Sequence, residues 1–177
     1  MGRPREFDSE KAIDAALHVF WREGYDGAGL ADLLDAMGIQ RGSLYKAYGS
    51  KKGLFLAALD RYREVYVAPG AVWLAEGPGS GLDRITQAMR SSPARNLGRG
   101  CFLCNAAAGP AADDPEISVT VNAQLDLLRT GFRAALAQDR TDAAPEAVAA
   151  EADRLTREYM GRQVSARSAW ETPTTSG

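Results

Sequence analysis

GLADLLDAMGIQRGSLYKAYGSKK, residues 29–52, is the stretch whose reading decides the fold. Leu30, Leu33, Leu34 and Met37 are spaced to share one face of a short helix. Gly38 follows where a C-cap glycine belongs. Ile39, Gln40, Arg41 and Gly42 then make a tight connection, and residues 43–48 supply a second short helix. Two short helices across a glycine-containing turn form the helix-turn-helix pattern, whose second helix enters the DNA major groove.

The second helix carries side chains suited to that place. Gln40, Arg41, Ser43, Tyr45, Lys46 and Tyr48 are donors, acceptors or flat rings, more than a buried helix would hold. Between Ile39 and Lys52 stand four cations (Arg41, Lys46, Lys51, Lys52) and no carboxylate, in a chain whose net charge is −2. Phosphates reward such a local patch.

The segments 38–45 (Gly-Ile-Gln-Arg-Gly-Ser-Leu-Tyr), 47–51 (Ala-Tyr-Gly-Ser-Lys) and 53–55 (Gly-Leu-Phe) resemble the DNA-binding motif of the TetR family of transcriptional regulators. Residues 2–8 (Gly-Arg-Pro-Arg-Glu-Phe-Asp) and 20–25 (Phe-Trp-Arg-Glu-Gly-Tyr) match the same family. The resemblance implies a three-helix DNA-binding domain at 1–50, a connecting helix at 51–67 and a helical ligand-binding and dimerisation domain at 68–168, with a disordered tail at 169–177. It implies a homodimeric repressor on pseudo-palindromic double-stranded operator DNA, released by a small-molecule inducer that the sequence does not identify. Arg41, Ser43, Tyr45, Lys46 and Tyr48 would meet bases and phosphates, together with Gln40 and Gly42. Arg3, Arg5 and Lys51 would lie on the backbone. At Ala28 and Gly29 the family usually has Thr-Ser or Thr-Thr. Here only the Gly29 backbone can cap the helix, at a cost of a few tenths of a kcal/mol relative to Ser or Thr.

Outward from that stretch the chain reads as all-α, with about eight helices in total. Its 177 residues suffice for one large domain or two small ones. No period-2 alternation or hairpin turn between apolar runs is visible. No run approaches a membrane span, no signal peptide is evident, and two cysteines make no disulfide framework, so a cytoplasmic protein is expected. Residues 2–5 form a basic arm in which Pro4 delays the first helix. Asp8 or Ser9 can cap that helix, whose buried face is read as Ile13, Leu17, Phe20 and Gly24. His18, the only histidine, lies off this stripe with no ligand-type neighbour. Among enzyme signatures there is no Walker motif, no Gly-x-Ser-x-Gly and no metal-ligand cluster, so no catalytic residue, metal or cofactor is expected.

Lys51 and Lys52 open a long amphipathic helix running to about Val67, and residues 69–81, rich in glycine and proline, read as a flexible connection. Leu82, Ile85 and Met89 mark a short helix ended at 91–93. A branch of the family carries a Gly-Cys-Leu-Leu-x-Asn-like motif, which Gly100 to Asn105 resembles. Cys101 is expected in the first turn of that helix, after Arg99, where a thiol's pKa is lowered, with Cys104 one turn on. Three readings of the pair stand together: small core residues, a redox or electrophile sensor, or half of a metal site.

Ile117, Val121, Leu125, Leu128, Phe132 and Leu136 form a stripe over some twenty residues of the next helix, which Asp113 and Asp114 can start with Pro115 in its first turn. Together with Trp73, Met89, Cys101, Phe102 and Cys104, the residues Leu125, Leu128 and Phe132 would line a ligand cavity. The same set serves equally as a dry core. Val148, Ala152, Leu155 and Tyr159 repeat at four-three-four spacing, as a helix-on-helix seam would, and are expected at the dimer interface. The family's final helix has no counterpart in residues 169–177.

Overall fold

A computed structural model describes residues 9–90 and 99–167, with no strand among them. The elements are α1 (Ser9–Gly27), α2 (Leu30–Met37), α3 (Arg41–Tyr48), α4 (Lys51–Tyr62), a π-helical turn (Arg63–Val67), α5 (Ala68–Glu76), α6 (Gly81–Arg90), α7 (Phe102–Ala108), a 3-10 turn (Pro110–Asp113), α8 (Pro115–Asp139) and α9 (Pro145–Arg167). Because α4, the π turn and α5 follow without a break, these make eight helical rods among the described residues, in line with the all-α expectation. Arg3, Arg5, the stop at 91–93 and the tail at 169–177 lie outside the described residues.

α1 packs against α4, α2 and α7 through Ala12, Ala16, Leu17, Val19, Phe20 and Trp21. Leu17 and Phe20 are buried as the stripe requires, and Ile13 is half-buried. Trp21, off that stripe, is buried too, because its ring meets Phe102 of α7 and Tyr62 of α4, and its Nε1 donates to Gly100 O at 3.1 Å. Gly24, expected on the buried face, instead sits at a kink with φ 77.

Residues 68–76 correct the expectation of a loose stretch. Proline lacks an N–H and clashes with the carbonyl four residues back in a regular helix. The π turn shifts the register just before it, with the Ala68 N–H reaching the Arg63 carbonyl five residues back, so Pro69 enters at the start of α5. The connecting helix therefore runs on to Glu76. Only 77–80 remains as connection, and it is clamped by Arg84. That buried guanidinium donates to Leu74 O (2.7 Å), Gly77 O (2.8 Å), Gly79 O (2.7 Å) and Ala75 O (3.3 Å), and also to Gln138 Oε1 on α8.

α8 is the spine of the C-terminal half, touching α4, α5, α6, α7 and α9. Asp114 caps it, its carboxylate accepting from the Glu116 and Ile117 N–H groups. Gly131 lets α5 approach: a Cβ there would stand 2.9 Å from Ala71 O. Ile117, Val121, Leu128, Phe132 and Leu136 are buried and Leu125 half-buried.

The residues expected at the dimer seam have contacts within the protomer. Val148, Ala152 and Leu155 pack inside the protomer with Leu74, Ile85, Phe132, Ala135 and Leu136, and Tyr159 joins them. A four-three-four apolar spacing marks a helix with a partner, and here α8 of the same chain is that partner. α8 and α9 lie side by side as the last two described helices.

Candidate nucleic-acid interface and cavity

Three local devices present α3. Gly38 takes φ 64, a left-handed conformation open to glycine, and its N–H reaches the Asp35 and Leu34 carbonyls while the Ile39 N–H donates to Leu34 O at 3.2 Å. The chain thereby turns out of α2 straight into α3. Leu44, fully buried, anchors one side of α3 in the core. Beyond it, the Gly49 N–H closes α3 on Tyr45 O at 2.9 Å, and Ser50 Oγ accepts from the Gly53 N–H at 3.0 Å to cap α4. Gly53 lies so close to the Tyr48 carbonyl that a side chain would not fit between them.

The outer side of α3 shows Gln40, Arg41, Gly42, Tyr45 (46% exposed) and Lys46, with Ser43 half-buried beside them. Arg41 and Lys46 have no carboxylate partner among the described residues, so their charge faces outward. Lys51 sits at the first position of α4 with Nζ 4.9 Å from the Tyr25 ring centre, a cation–π contact that holds its charge beside α3. Two expected members behave differently. Tyr48 is half-buried against the core beside Ile13, and burial raises its pKa. Lys52 turns away to the start of α8, 2.8 Å from Glu116 and 3.4 Å from Asp114. The free cationic patch is thus Arg41, Lys46 and Lys51. At the start of α2, Gly29 caps with no side-chain hydrogen bond, only its carbonyl accepting from Leu33 N–H at 3.1 Å, as expected.

A separate cavity of about 160 Å³ opens between the α4–α5 rod, α7, α8 and α9. Of the residues expected to line it, Trp73, Cys101, Leu128 and Phe132 are brought together there. Phe102, Cys104 and Leu125 stand in the core behind the wall, and Met89 packs on the neighbouring apolar cluster. Tyr62, Tyr66 and Tyr159 also line it and were not expected to. Tyr62 and Tyr66 carry a legible signal: two phenols four residues apart on one helix, in line with Trp73.

Cys101 is the N-cap of α7, one position earlier than expected. Its sulfur accepts from the Tyr62 hydroxyl at 3.3 Å. A hydrogen bond from the Cys104 thiol lowers the Cys101 pKa to about 7, helped by Tyr62 and by the Cys104 and Leu103 N–H groups against the opposing effect of burial. The same Cys104–Cys101 hydrogen bond, with burial, pushes the Cys104 thiol up. No group of three His, Cys, Asp or Glu residues among those described could hold a metal ion. No described helix is long and apolar enough to cross a membrane.

The profile of the family described as bacterial regulatory proteins, tetR family, matches residues 12–58, spanning α1 to α4. The helix-turn-helix-type regulator YezE of Bacillus subtilis (strain 168) is 35% identical over 138 residues, 75% of this chain and 70% of that protein. The chain belongs to the TetR family. The family's repressor ComR of Escherichia coli (strain K12) is 32% identical over 127 residues, 70% of this chain and 60% of ComR. Among solved structures, a cysteine mutant of the TetR-family regulator CifR, complexed with 26-base-pair operator DNA, aligns with a TM-score of 0.81 and 30% identity, covering 96% of this chain and 92% of that one. This chain is accordingly a helix-turn-helix transcriptional regulator of the TetR family.

Proposed function

We propose that the protein is a repressor that binds pseudo-palindromic double-stranded operator DNA as a homodimer and releases it when a small molecule fills the cavity. The observation that carries this is the outer side of α3: Arg41, Tyr45 and Lys46 exposed, free of carboxylates, on a helix pinned by Leu44. Gln40, Arg41, Gly42, Ser43, Tyr45 and Lys46 then read bases and phosphates, with Tyr48 at the edge. Lys51, Arg3 and Arg5 contact the phosphate backbone. Support comes from CifR, solved with operator DNA, and from ComR, named as a repressor.

In this reading residues 1–50 bind DNA and 68–168 bind ligand and partner, with the connecting helix lengthened to Glu76. The resemblance of Gly100 to Asn105 supports membership of the branch with a Gly-Cys-Leu-Leu-x-Asn-like motif. Trp73, Cys101, Leu128 and Phe132, with the tyrosines beside them, form the inducer site. The outer faces of α8 and α9, where Val119 (70% exposed), Leu127 and Val164 lie open, meet the second copy. The protein acts in the cytoplasm, where its DNA is.

Tyr45→Ala combined with Lys46→Ala tests the α3 assignment, because both side chains are exposed and their loss leaves the fold intact. The expected outcome in a gel-shift assay is loss of the sequence-specific complex, with the thermal melt by circular dichroism unchanged. A retained specific complex would sink the assignment.

A further inference from the structure

We propose that Cys101 is a covalent capture site for a small α,β-unsaturated carbonyl compound, and that its adduct displaces Tyr62 and so disturbs the rod carrying the DNA-binding helices. This rests on the regulator reading and names the class of its ligand.

Cys101 is the one thiol on the cavity wall, among Tyr62, Tyr66, Trp73, Phe132 and Tyr159. A cavity of about 160 Å³ matches the roughly 150 Å³ of an engineered cavity that takes benzene. So small a ligand gains little from burial alone. A bond to sulfur supplies a hold that contacts do not. The sulfur is also prepared for attack: Tyr62 Oη and the Cys104 thiol both donate to it, which favours the thiolate, the nucleophilic form.

The chemistry balances without a co-reactant. Cys101 Sγ, as thiolate, adds to the β-carbon of the conjugated C=C bond, forming C–S as the π pair moves to the carbonyl oxygen. The enolate then takes up the proton that the thiol released. The sum is addition of S–H across C=C, and no group is oxidised.

The consequence follows from what Tyr62 touches. Its ring lies 5.2 Å from Trp21, 5.5 Å from Phe102 and 4.9 Å from Tyr66. Trp21 belongs to α1, and α4 packs against both α1 and α3. A substituent on Cys101 takes the place of the Tyr62 hydroxyl bond and presses on this ring cluster, which joins the cavity to the helix-turn-helix.

The test uses the full protein with cyclohex-2-en-1-one as probe. Intact mass and peptide mapping read the chemistry, Trp21-sensitive fluorescence reads the ring cluster, and DNA affinity reads the regulation. The expected result is one adduct on Cys101, formed at a rate that levels off above a pH of about 7, with an inflection that moves to higher pH in Tyr62→Phe. The fluorescence changes, and DNA affinity falls roughly tenfold or more, within the usual range of coupling between sites. Cys101→Ser and Cys101→Ala, each checked for an unchanged melt, take up no probe. An adduct on Cys104, labelling only after denaturation, a response to oxidants alone through a Cys101–Cys104 disulfide, or a Cys101 adduct that leaves fluorescence and DNA affinity unchanged would each overturn the proposal. If the untreated protein bound no DNA, the regulator reading would fall, and the adduct and fluorescence would still decide the chemistry at Cys101.

Discussion

Arg84 lies buried with no ion pair to a carboxylate among the described residues; the backbone carbonyls of Leu74, Ala75, Gly77 and Gly79 and the amide of Gln138 hold it instead. A buried donor set of this kind costs most when one side is removed, because each carbonyl left behind has lost its water as well as its partner. Arg84→Met fills similar space without donors, and is expected to lower stability by about 3 kcal/mol in urea unfolding. An unchanged midpoint would mean the 77–80 connection closes without its clamp. Nothing in the sequence distinguished Arg84 from a surface arginine on an amphipathic helix. The signal lay in the shape of the turn it grips, which exists only once α5 and α6 have packed. Gly38 is the opposite case. Its place as the C-cap of α2 was readable at once, since a glycine directly after an apolar periodic segment has few other uses, and it takes a left-handed φ of 64.

Between elements, the contact from the start of α4 to the start of α8 ties the helix-turn-helix region to the C-terminal half. Lys52 reaches Glu116 and Asp114 there, and Asp114 also caps α8. Burial pushes the Asp114 pKa up, but the Ile117 and Glu116 N–H groups and the Lys52 ammonium outweigh it and hold the carboxyl below its usual value. A folded-state pKa below the unfolded one gives stability that is present above the ordinary carboxylate range and lost as pH falls through the depressed value. Melting temperature is therefore expected to fall on acidification, and Asp114→Asn to flatten that fall while lowering the melt at neutral pH. Equal pH slopes for the two proteins would remove Asp114 from the account. At this scale the sequence was legible where helices have caps: of the two aspartates read as able to start α8 ahead of Pro115, Asp114 is the cap, and Gly38 closed α2. It was misleading at α5, because a proline after glycine-poor helix normally ends it and the π turn that accommodates Pro69 has no sequence mark. At α9 the seam spacing said that a partner exists but not which one, and α8 of the same chain packs on that face. Lys52 looked like a fourth member of the cationic patch for the same reason: its carboxylates are more than sixty residues away in the chain.

Over the whole molecule, the apolar core is continuous from α1 through α4 to α7 and α8, so the DNA-binding helices and the cavity share one packed cluster. The fold class and the α3 surface were legible because both depend on local periodicity and local charge. The cavity was half legible, since four of its expected lining residues meet, while Tyr62 and Tyr66 come from a rod read as a connector and Tyr159 from a helix read as a dimer seam. The inner face of α9 is covered within the protomer, and the outer side of α8 and α9 is the surface proposed above for a second copy. Leu127→Glu combined with Val164→Glu is expected to convert the dimer to a helical monomer in sedimentation equilibrium and to abolish operator binding together with it. A dimer that persists would move the interface elsewhere. A two-fold protein carrying two copies of α3 demands two-fold DNA, with half-sites one helical turn or a multiple of it apart. Selection of bound sequences by the purified protein from a random duplex pool, at moderate salt, tests this most directly. The predicted result is an inverted repeat whose enrichment disappears when Tyr45 and Lys46 are replaced by alanine. Enrichment of no motif, or of a single unrepeated site, would contradict it.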